Sequence, residues 1–305
     1  MNSLPSLRIL RAEHMGMCFG VRDALALAHR QATAQPLTVL GDLVHNETVL
    51  ADLRRRGIQL EQNLDAVTTQ TVLITAHGAS EKRLAAVAAR GHRLIEATCP
   101  LVHVAHRAVR TLISEGYHPV IVGRRDHVEV RGITEDLEAF DVVLSEAEVD
   151  ALPHRERFGV AAQTTQPIDR VQTLVQRLRT RFPTSQVRFI DTVCLPTKQR
   201  QAAAEELARV ADVVVVVGGA HSNNTRELAN TCRAYGARVQ QIVTAAELCE
   251  DWFQAGETVG ITAGTSTPTA TIAAVEEWLH ALSDQMDATA AAKDQRPAEL
   301  AAMPL

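Results

Sequence analysis

Three cysteines spaced widely along the chain share one local setting, a turn that leads from a strand-like segment into a helix-like one. They are Cys18, Cys99 and Cys194. Thiolates are the usual ligands of iron–sulfur clusters, and three thiolates leave one iron of a four-iron cluster open. Cysteine is also a commonly buried residue, so the repeated setting, rather than the residue type, favours a metal centre. The other two cysteines, Cys232 and Cys249, are predicted to be core residues on helix faces.

Three histidines follow predicted strands within a few residues, and they are His45, His77 and His127. Ligands of α/β sheets bind at the carboxyl ends of the strands. Imidazole can contact phosphate oxygens and carries protons near neutral pH. A surface histidine is the alternative at each position, but the shared placement of the three favours a binding site.

Glu129 is the one carboxylate in this set of turns, and it is a candidate proton donor. It comes two residues after His127, and in an extended loop the two side chains would share a face. Thr164 and Thr165, which follow another predicted strand, are candidate relays for the proton. Surface solvation is the alternative interpretation of Glu129.

Polar residues also precede three predicted helices directly after strands. N-capping explains serine and asparagine at such positions, but exposed N–H groups at a helix N-terminus also bind anions. Neutral donors together with histidines predict a diphosphate that is held without a metal ion. The segments are Thr164-Thr165 before Pro167, Ser222-Asn223-Asn224, and Gly264-Thr265-Ser266 before Pro268.

Strand-like and helix-like segments alternate along most of the chain, which predicts an α/β fold with small, mainly parallel sheets. The three cysteine turns predict three similar lobes around one centre. The expected boundaries are 18–99 for the first lobe, 100–193 for the second, and 194–282 together with 1–17 for the third. Residues 283–305 are predicted to be a disordered tail. The sequence contains neither a G-x-G-x-x-G fingerprint nor a P-loop motif.

Composition narrows the class of protein further. The chain has 305 residues, a net charge of −5 and only 3% aromatic residues, so it offers no nucleic-acid surface. The longest apolar run, 213–217, is too short to span a membrane, and the N-terminus lacks the apolar segment of a signal peptide. We therefore expect a cytoplasmic protein. Five cysteines without a C-x-x-C pair favour metal or catalytic use over disulfides.

Taken together, the motifs resemble the 4-hydroxy-3-methylbut-2-enyl diphosphate reductase family, iron–sulfur enzymes of the methylerythritol phosphate route to isoprenoids. The resemblance covers about residues 7–281, and the motifs run in the family's order. They are GMCFGV (16–21), VHN (44–46), AHG (76–78), ATCPLV (97–102), HVEV (127–130), QTT (163–165), Cys194 with Thr197, SNNT (222–225) and TAGTS (262–266).

The resemblance implies a three-lobed α/β fold around a central [4Fe–4S] cluster with one open iron. The implied reaction removes the hydroxyl group of an allylic diphosphate, using two electrons and protons, and gives isopentenyl and dimethylallyl diphosphate. The implied partners are this small-molecule substrate and an electron donor such as ferredoxin or flavodoxin, with no nucleic acid and no membrane.

The resemblance also implies a role for each matching residue. Cys18, Cys99 and Cys194 are the implied cluster ligands, and Glu129, His127 and Thr164 the implied catalytic residues. The implied substrate-binding residues are His45, His77, His127, Thr165, Ser222, Asn223, Asn224 and Ser266. The chain departs from the family pattern at Met17, Phe19, Val128, Asn223 and Thr269.

Two alternatives stay open at this point. A non-catalytic or redox-sensing relative would need the cysteines but not Glu129 or the phosphate donors. A mononuclear zinc hydrolase would need histidine or carboxylate ligands beside the cysteines.

Overall fold

The computed structural model describes residues 6–294. By its internal contacts the chain divides into two compact units. One unit comprises residues 18–199. The other combines the residues before 18 with those from 200 onward. Each unit is described by itself below.

Strands and helices alternate through both units. The strands are β1 (Arg8–Arg11), β2 (Leu37–Leu40), β3 (Gln59–Glu61), β4 (Thr71–Ile74), β5 (Arg93–Glu96), β6 (His118–Val122), β7 (Asp141–Val143), β8 (Arg157–Ala162), β9 (Gln186–Phe189), β10 (Val213–Val217), β11 (Arg238–Ile242) and β12 (Thr258–Ala263). The helices are α1 (Phe19–Ala34), α2 (Glu47–Arg55), α3 (Glu81–Ala89), α4 (Pro100–Ser114), α5 (Val128–Thr134), α6 (Glu146–Asp150), α7 (Ile168–Arg181), α8 (Leu195–Ala208), α9 (Asn223–Ala234) and α10 (Thr269–Asp294).

The strands form three four-stranded sheets in which every pairing is parallel. The unit of residues 18–199 holds two of them, with strand orders β3-β2-β4-β5 and β7-β6-β8-β9. The other unit holds the third, β11-β10-β12-β1, so the first strand of the chain completes a sheet made from its last segment. The predicted α/β fold with three small parallel sheets is confirmed. The predicted boundaries of the three lobes remain a prediction.

Burial on both faces explains the apolar strands. β10 is five consecutive valines, all fully buried between β11 and β12. Parallel strands with helices on both faces read as continuous apolar runs in this way. Helices cover the sheets with one apolar stripe each, as α4 does with Ala105, Val109 and Leu112. The sheets are therefore rigid platforms whose carboxyl ends present the loops.

Two expectations about the last third of the chain are wrong. The tail predicted to be disordered from residue 283 is helical as far as Asp294, because Leu282 and Met286 continue the apolar face of α10 and alanine favours helix. Residues 295–305 lie outside the described part. Cys249 is exposed beside a single 3-10 turn rather than buried on a helix, and Glu250 and Asp251 next to it favour solvent. Cys232 is buried on α9, as expected.

Two short elements, β3 and α6, were not expected from the sequence. β3 and α6 have only 3 and 5 residues, too few to show a periodic apolar pattern. Across residues 6–294, no helix combines the length and the apolar character that are needed to cross a membrane.

Candidate functional site

The residues singled out in the sequence follow equivalent strands in the three sheets. In each sheet the two inner strands and one edge strand end in such a residue, which explains why similar turns recur along the chain. Cys99, Cys194 and Cys18 follow the edge strands β5, β9 and β1; His45, His127 and Ser222 follow the inner strands β2, β6 and β10; His77, Thr164 and Ser266 follow the inner strands β4, β8 and β12.

All three cysteines stand immediately before a helix, namely α1, α4 and α8, and all three belong to the unit of residues 18–199. At Cys18 and Cys99 the side chain makes no capping hydrogen bond, so capping does not explain the residue type. Burial raises the pKa of the Cys99 thiol and raises that of Cys194 to about 11, and in each case the negative charge of Cys18 adds to the effect. The thiols of Cys99 and Cys194 are therefore protonated without a metal, and a metal centre must displace those protons.

The space around Cys99 fits a crowded thiolate centre. Its sulfur lies against the first turn of α1, so that a Cβ added at Gly20 would come within 2.5 Å of Cys99 Sγ. Only glycine leaves room there for the thiol beside the helix that starts after Cys18. This requirement could not be read from the sequence alone, since Gly20 looks like an ordinary helical glycine.

Within residues 6–294, no group of three His, Cys, Asp or Glu side chains is placed to hold a single metal ion. In a cluster each iron can take its own thiolate, so cluster ligands need not converge as closely as the ligands of one ion. Cys18 influences the pKa of both Cys99 and Cys194, which is compatible with that looser arrangement.

The Gly20→Ala variant is expected to purify anaerobically with less iron than the wild type, because the new methyl group displaces the Cys99 sulfur. Gly132→Ala on α5 is the matched control, since its Cβ would meet Ala79 at an ordinary 3.5 Å. Iron per chain, measured after anaerobic reconstitution, tests this. Equal iron in the Gly20→Ala protein and the control would contradict the placement of the thiol.

The three histidines form one aromatic cluster. His45 and His77 stack with ring centroids 4.2 Å apart, and His127 meets them edge-on at 5.2 and 5.7 Å. Burial lowers the pKa of His77 well below its usual range, and the neighbouring His45 and His127 lower it further. Without an anion His77 is therefore neutral. A bound anion would favour protonation of the cluster, so anion binding and proton uptake are linked here.

Glu129 lies in the first turn of α5, two residues after His127. His127 caps the helix by accepting at Nδ1 a hydrogen bond from the Glu129 N–H (3.2 Å). The expected extended loop is therefore wrong, because α5 begins at Val128. In a helix, residues two apart do not share a face, so the Glu129 carboxyl group turns toward Thr164 instead. The Thr164 backbone N–H donates to Glu129 Oε1 at 2.6 Å, and the Thr164 side chain also hydrogen-bonds the carboxyl group.

The environment of Glu129 suits proton transfer near neutral pH. The residue is 1% exposed. Burial raises its pKa to about 7, although the hydrogen bonds from Thr164 oppose the shift. A general acid works best when its pKa lies near the working pH.

This raised pKa predicts a pH dependence of folding stability. In iron-free protein, wild-type stability relative to Glu129→Gln should be greatest below about pH 4.5, where the carboxyl group is protonated in both states. It should fall as pH rises to about 7 and stay level above it, because the unfolded chain ionises first. The shift from 4.5 to about 7 corresponds to about 3 kcal/mol. Urea denaturation of both proteins at pH 4.5, 6 and 8 measures it. A pH-independent difference would contradict the burial of an ionisable group.

Gln163 positions the strand end that carries Thr164 and Thr165. It is fully buried, its Nε2 donates to Thr165 Oγ1 at 3.1 Å, and its Oε1 accepts from the Arg124 backbone N–H. A Cβ added at Gly123 would come within 2.9 Å of Gln163 Cβ. Gln163 therefore ties the loop after β8 to the loop after β6, a function that its position in the sequence did not indicate.

The other unit carries its own candidate anion site at the start of α9. Ser222 caps the helix, and Asn224 Oδ1 accepts from the Thr265 backbone N–H at 3.0 Å. Asn224 is 1% exposed, and among the described residues its Nδ2 has no hydrogen-bond partner. Asn223 and Ser266 are buried as well. An unpaired buried donor beside a helix N-terminus favours an anionic ligand at this position.

Comparison with known proteins is consistent with this picture. The sequence model of the family described as LytB protein matches residues 9–280. The chain is 38% identical to the 4-hydroxy-3-methylbut-2-enyl diphosphate reductase of Pelobacter propionicus over 86% of this chain and 94% of the relative. It is 37% identical to the enzyme of the same name from Geobacter sulfurreducens, over 86% and 93%.

Two solved structures are also similar. The E-1-hydroxy-2-methyl-but-2-enyl-4-diphosphate reductase from Plasmodium falciparum superposes with a TM-score of 0.84 over 91% of this chain and 88% of that one. At 24% identity, this similarity supports the fold alone. A structure of (E)-4-hydroxy-3-methyl-but-2-enyl diphosphate reductase, described as the terminal enzyme of the non-mevalonate pathway, has a TM-score of 0.63 at 33% identity. It is matched over 90% of this chain and 99% of that one.

Proposed function

The chain belongs to the LytB protein family, and we propose that it reduces 4-hydroxy-3-methylbut-2-enyl diphosphate to isopentenyl and dimethylallyl diphosphate. The observation that carries the proposal is the buried Glu129 carboxyl group, with a pKa of about 7, in the same unit as the three thiols and three imidazoles. This combination fits a reaction that needs electrons, protons and an anionic substrate together.

Cys18, Cys99 and Cys194 are the proposed ligands of a [4Fe–4S] cluster with one open iron. When bound, the cluster supplies the two electrons singly, together with an open coordination position for the substrate. The chain prepares this centre by placing three thiols before three helices, with Gly20 leaving space for one of them. A one-electron donor such as ferredoxin or flavodoxin is the proposed partner.

The proposed reaction replaces the hydroxyl group of an allylic alcohol by hydrogen. It breaks one C–O bond, forms one C–H bond, and consumes two electrons and two protons. One proton leaves with the hydroxyl oxygen as water and the other reaches carbon, at either end of the allylic system. Glu129 is the proposed donor because it is partly protonated at neutral pH, and Thr164 fixes its carboxyl group. His127, two residues before Glu129 and within the imidazole cluster, is proposed to line the same site.

We assign diphosphate binding to the imidazole groups and to the polar residues at strand ends and helix starts that are described above. In the unit of residues 18–199 the proposed groups are the three imidazoles and Thr165, and in the other unit they are Ser222, Asn223, Asn224 and Ser266. Imidazoles that gain protons with an anion can balance negative charge in the first of these units, and N–H groups at the start of α9 can do so in the other, in neither case with Mg²⁺.

Anaerobic turnover of the hydroxylated diphosphate, with reconstituted protein and a chemical one-electron reductant, tests the proposal. We expect both isomeric products, in the presence of EDTA as well as in its absence. Product analysis by mass spectrometry gives the measurement. Full iron loading without turnover would favour the non-catalytic, redox-sensing alternative, and a requirement for Mg²⁺ would contradict the assigned diphosphate groups.

A further inference from the structure

A cavity within residues 18–199 is not used by the proposed reaction. It has a volume of about 420 Å³ and lies at the carboxyl ends of β2 and β4, where Leu40, Gly41 and Thr75 line it, while α5 forms another wall. Ligands of parallel α/β sheets bind at this end of the strands, and the volume is in the range of small-molecule sites. None of the described cysteines or clustered histidines lines it.

Two guanidinium groups give this cavity a positive charge. Arg83 lines it from α3 and Arg131 from α5. Within residues 6–294 neither arginine forms an ion pair, and the Arg83 guanidinium group donates only to the backbone carbonyl of Gln62, at 3.2 Å. One carboxylate, Glu135, also lines the cavity. The two cations therefore outnumber the one lining carboxylate.

Glu135 is engaged away from the two arginines. It accepts a hydrogen bond from Ser80 Oγ at 2.5 Å, which joins the start of α3 to the end of α5. The adjacent Asp136 carboxylate accepts from the backbone N–H groups of Glu81 and Lys82, at 2.7 and 3.1 Å. The helix N-terminus beside the cavity is thus already capped, so the arginines remain as the groups that could bind a ligand.

A smaller cavity of about 310 Å³ adjoins the first one. The two share Gln62, Arg83 and Glu135 as lining residues, and the smaller one adds Lys82. Arg83 lines both cavities, Arg131 lines the larger one and Lys82 the smaller one, so each cavity has two cationic side chains. Together they can accommodate a ligand that is longer than a single phosphate group.

From this arrangement we propose that the cavity at the ends of β2 and β4 binds the phosphate group of a small metabolite between Arg83 and Arg131. Guanidinium groups match phosphate oxygens in pairs of parallel hydrogen bonds. The rest of the ligand would extend past Arg83 toward Lys82. This site is additional to the diphosphate groups of the proposed reaction.

The position of the cavity connects it to the residues of the reaction. Gly78, which follows His77, and Val128, which stands between His127 and Glu129, both line it. An occupant would therefore contact the two segments that present these side chains. Binding there would restrict the motion of both segments, which gives the site a route to influence the reductase.

Titration calorimetry with inorganic pyrophosphate on the iron-loaded protein tests the proposal. The wild type should bind two equivalents, and Arg83→Gln/Arg131→Gln should bind one. Arg131→Gln alone breaks no ion pair among the described residues. It should weaken binding of the pyrophosphate that the double variant loses at least about tenfold, as expected for a lost charged hydrogen bond. Arg107→Gln, an exposed position on α4, is the matched control and should bind two.

His77→Asn separates this site from the site of the proposed reaction. It should weaken the other equivalent and leave the one that depends on Arg83 and Arg131. The proposal is overturned if the wild type binds only the equivalent that His77→Asn weakens, or if the double arginine variant still binds two. If His77→Asn weakens neither equivalent while the arginine variants lose one, the additional site stands and the assigned diphosphate groups are wrong.

Discussion

Glu129→Gln should keep its iron and bind substrate normally, yet turn over at least about a hundredfold more slowly than the wild type, which is the low end for loss of a general acid. The amide has nearly the shape of the carboxyl group. Its Oε1 can still accept the hydrogen bond that the Thr164 backbone N–H makes at 2.6 Å. The amide has no acidic proton to give near pH 7, so the substitution tests proton transfer rather than packing.

The reaction's demand for protons explains the size of this effect. Hydroxide is a poor leaving group unless it departs as water, and the new C–H bond needs a second proton. A supply of electrons replaces neither of these two protons. A carboxyl group with a pKa raised to about 7 by burial can lose and regain its proton in each cycle. This carboxyl group lies two residues after His127, which caps the same helix.

Single-turnover and steady-state rates with photoreduced protein give the measurement, with iron content and substrate affinity determined on the same samples. Glu138→Gln, an exposed position beyond α5, is the control and should react at the wild-type rate. If Glu129→Gln turns over within about threefold of wild type while chemistry limits the rate, the acid must be His127 or the substrate's own diphosphate.

Much of the fold follows from local sequence pattern. β2 and β10 are short apolar runs between turn residues, and such a run has few solutions other than a strand in an alternating β–α chain. Ser80 caps α3 and Gly91 follows its end with a positive φ of 80°, and both are ordinary sequence signals for the two ends of a helix. The short β3 escaped prediction, since it is specified by pairing with β2 rather than by its own residues.

The site was less accessible from sequence than the fold. Placement after strands predicted which loops carry chemistry, but not which side chains meet. The stacking of His45 on His77 depends on how two different loops pack. The turn of Glu129 toward Thr164 depends on a helix that begins at Val128, where a loop was expected. Distances of this kind arise from tertiary packing, which local periodicity does not encode.

Replacing Cys18, Cys99 or Cys194 singly with serine should weaken iron binding at least about a hundredfold, because even changes outside the ligand shell cost about 10- to 100-fold. Serine keeps the size of the side chain but loses the thiolate, which is the usual ligand of iron–sulfur clusters. The variants should also lose the cluster's visible absorption and all turnover. Iron per chain after anaerobic reconstitution, with the absorption spectrum, gives the measurement.

The remaining cysteines supply matched controls. Cys232 is buried on α9, where its Sγ lies 3.8 Å from the Ala204 carbonyl oxygen and burial raises its pKa to about 12, so it is an inert core thiol. Cys249 is exposed beside a 3-10 turn. Cys232→Ser and Cys249→Ser should therefore both retain full iron, although the buried substitution should lower thermal stability, since it places a hydroxyl group in an apolar environment.

The three Cys→Ser variants should lose similar amounts of iron, and this equality is the more stringent part of the test. Each cysteine follows the edge strand of its sheet and precedes a helix, so the fold gives no member of the set a lesser position. Full iron in Cys99→Ser would remove the cluster assignment. Loss of iron with Cys18→Ser and Cys99→Ser but not with Cys194→Ser would indicate a centre held by two thiolates, and the contact of Cys194 Sγ with Thr197 Oγ1 at 3.1 Å would then be structural only.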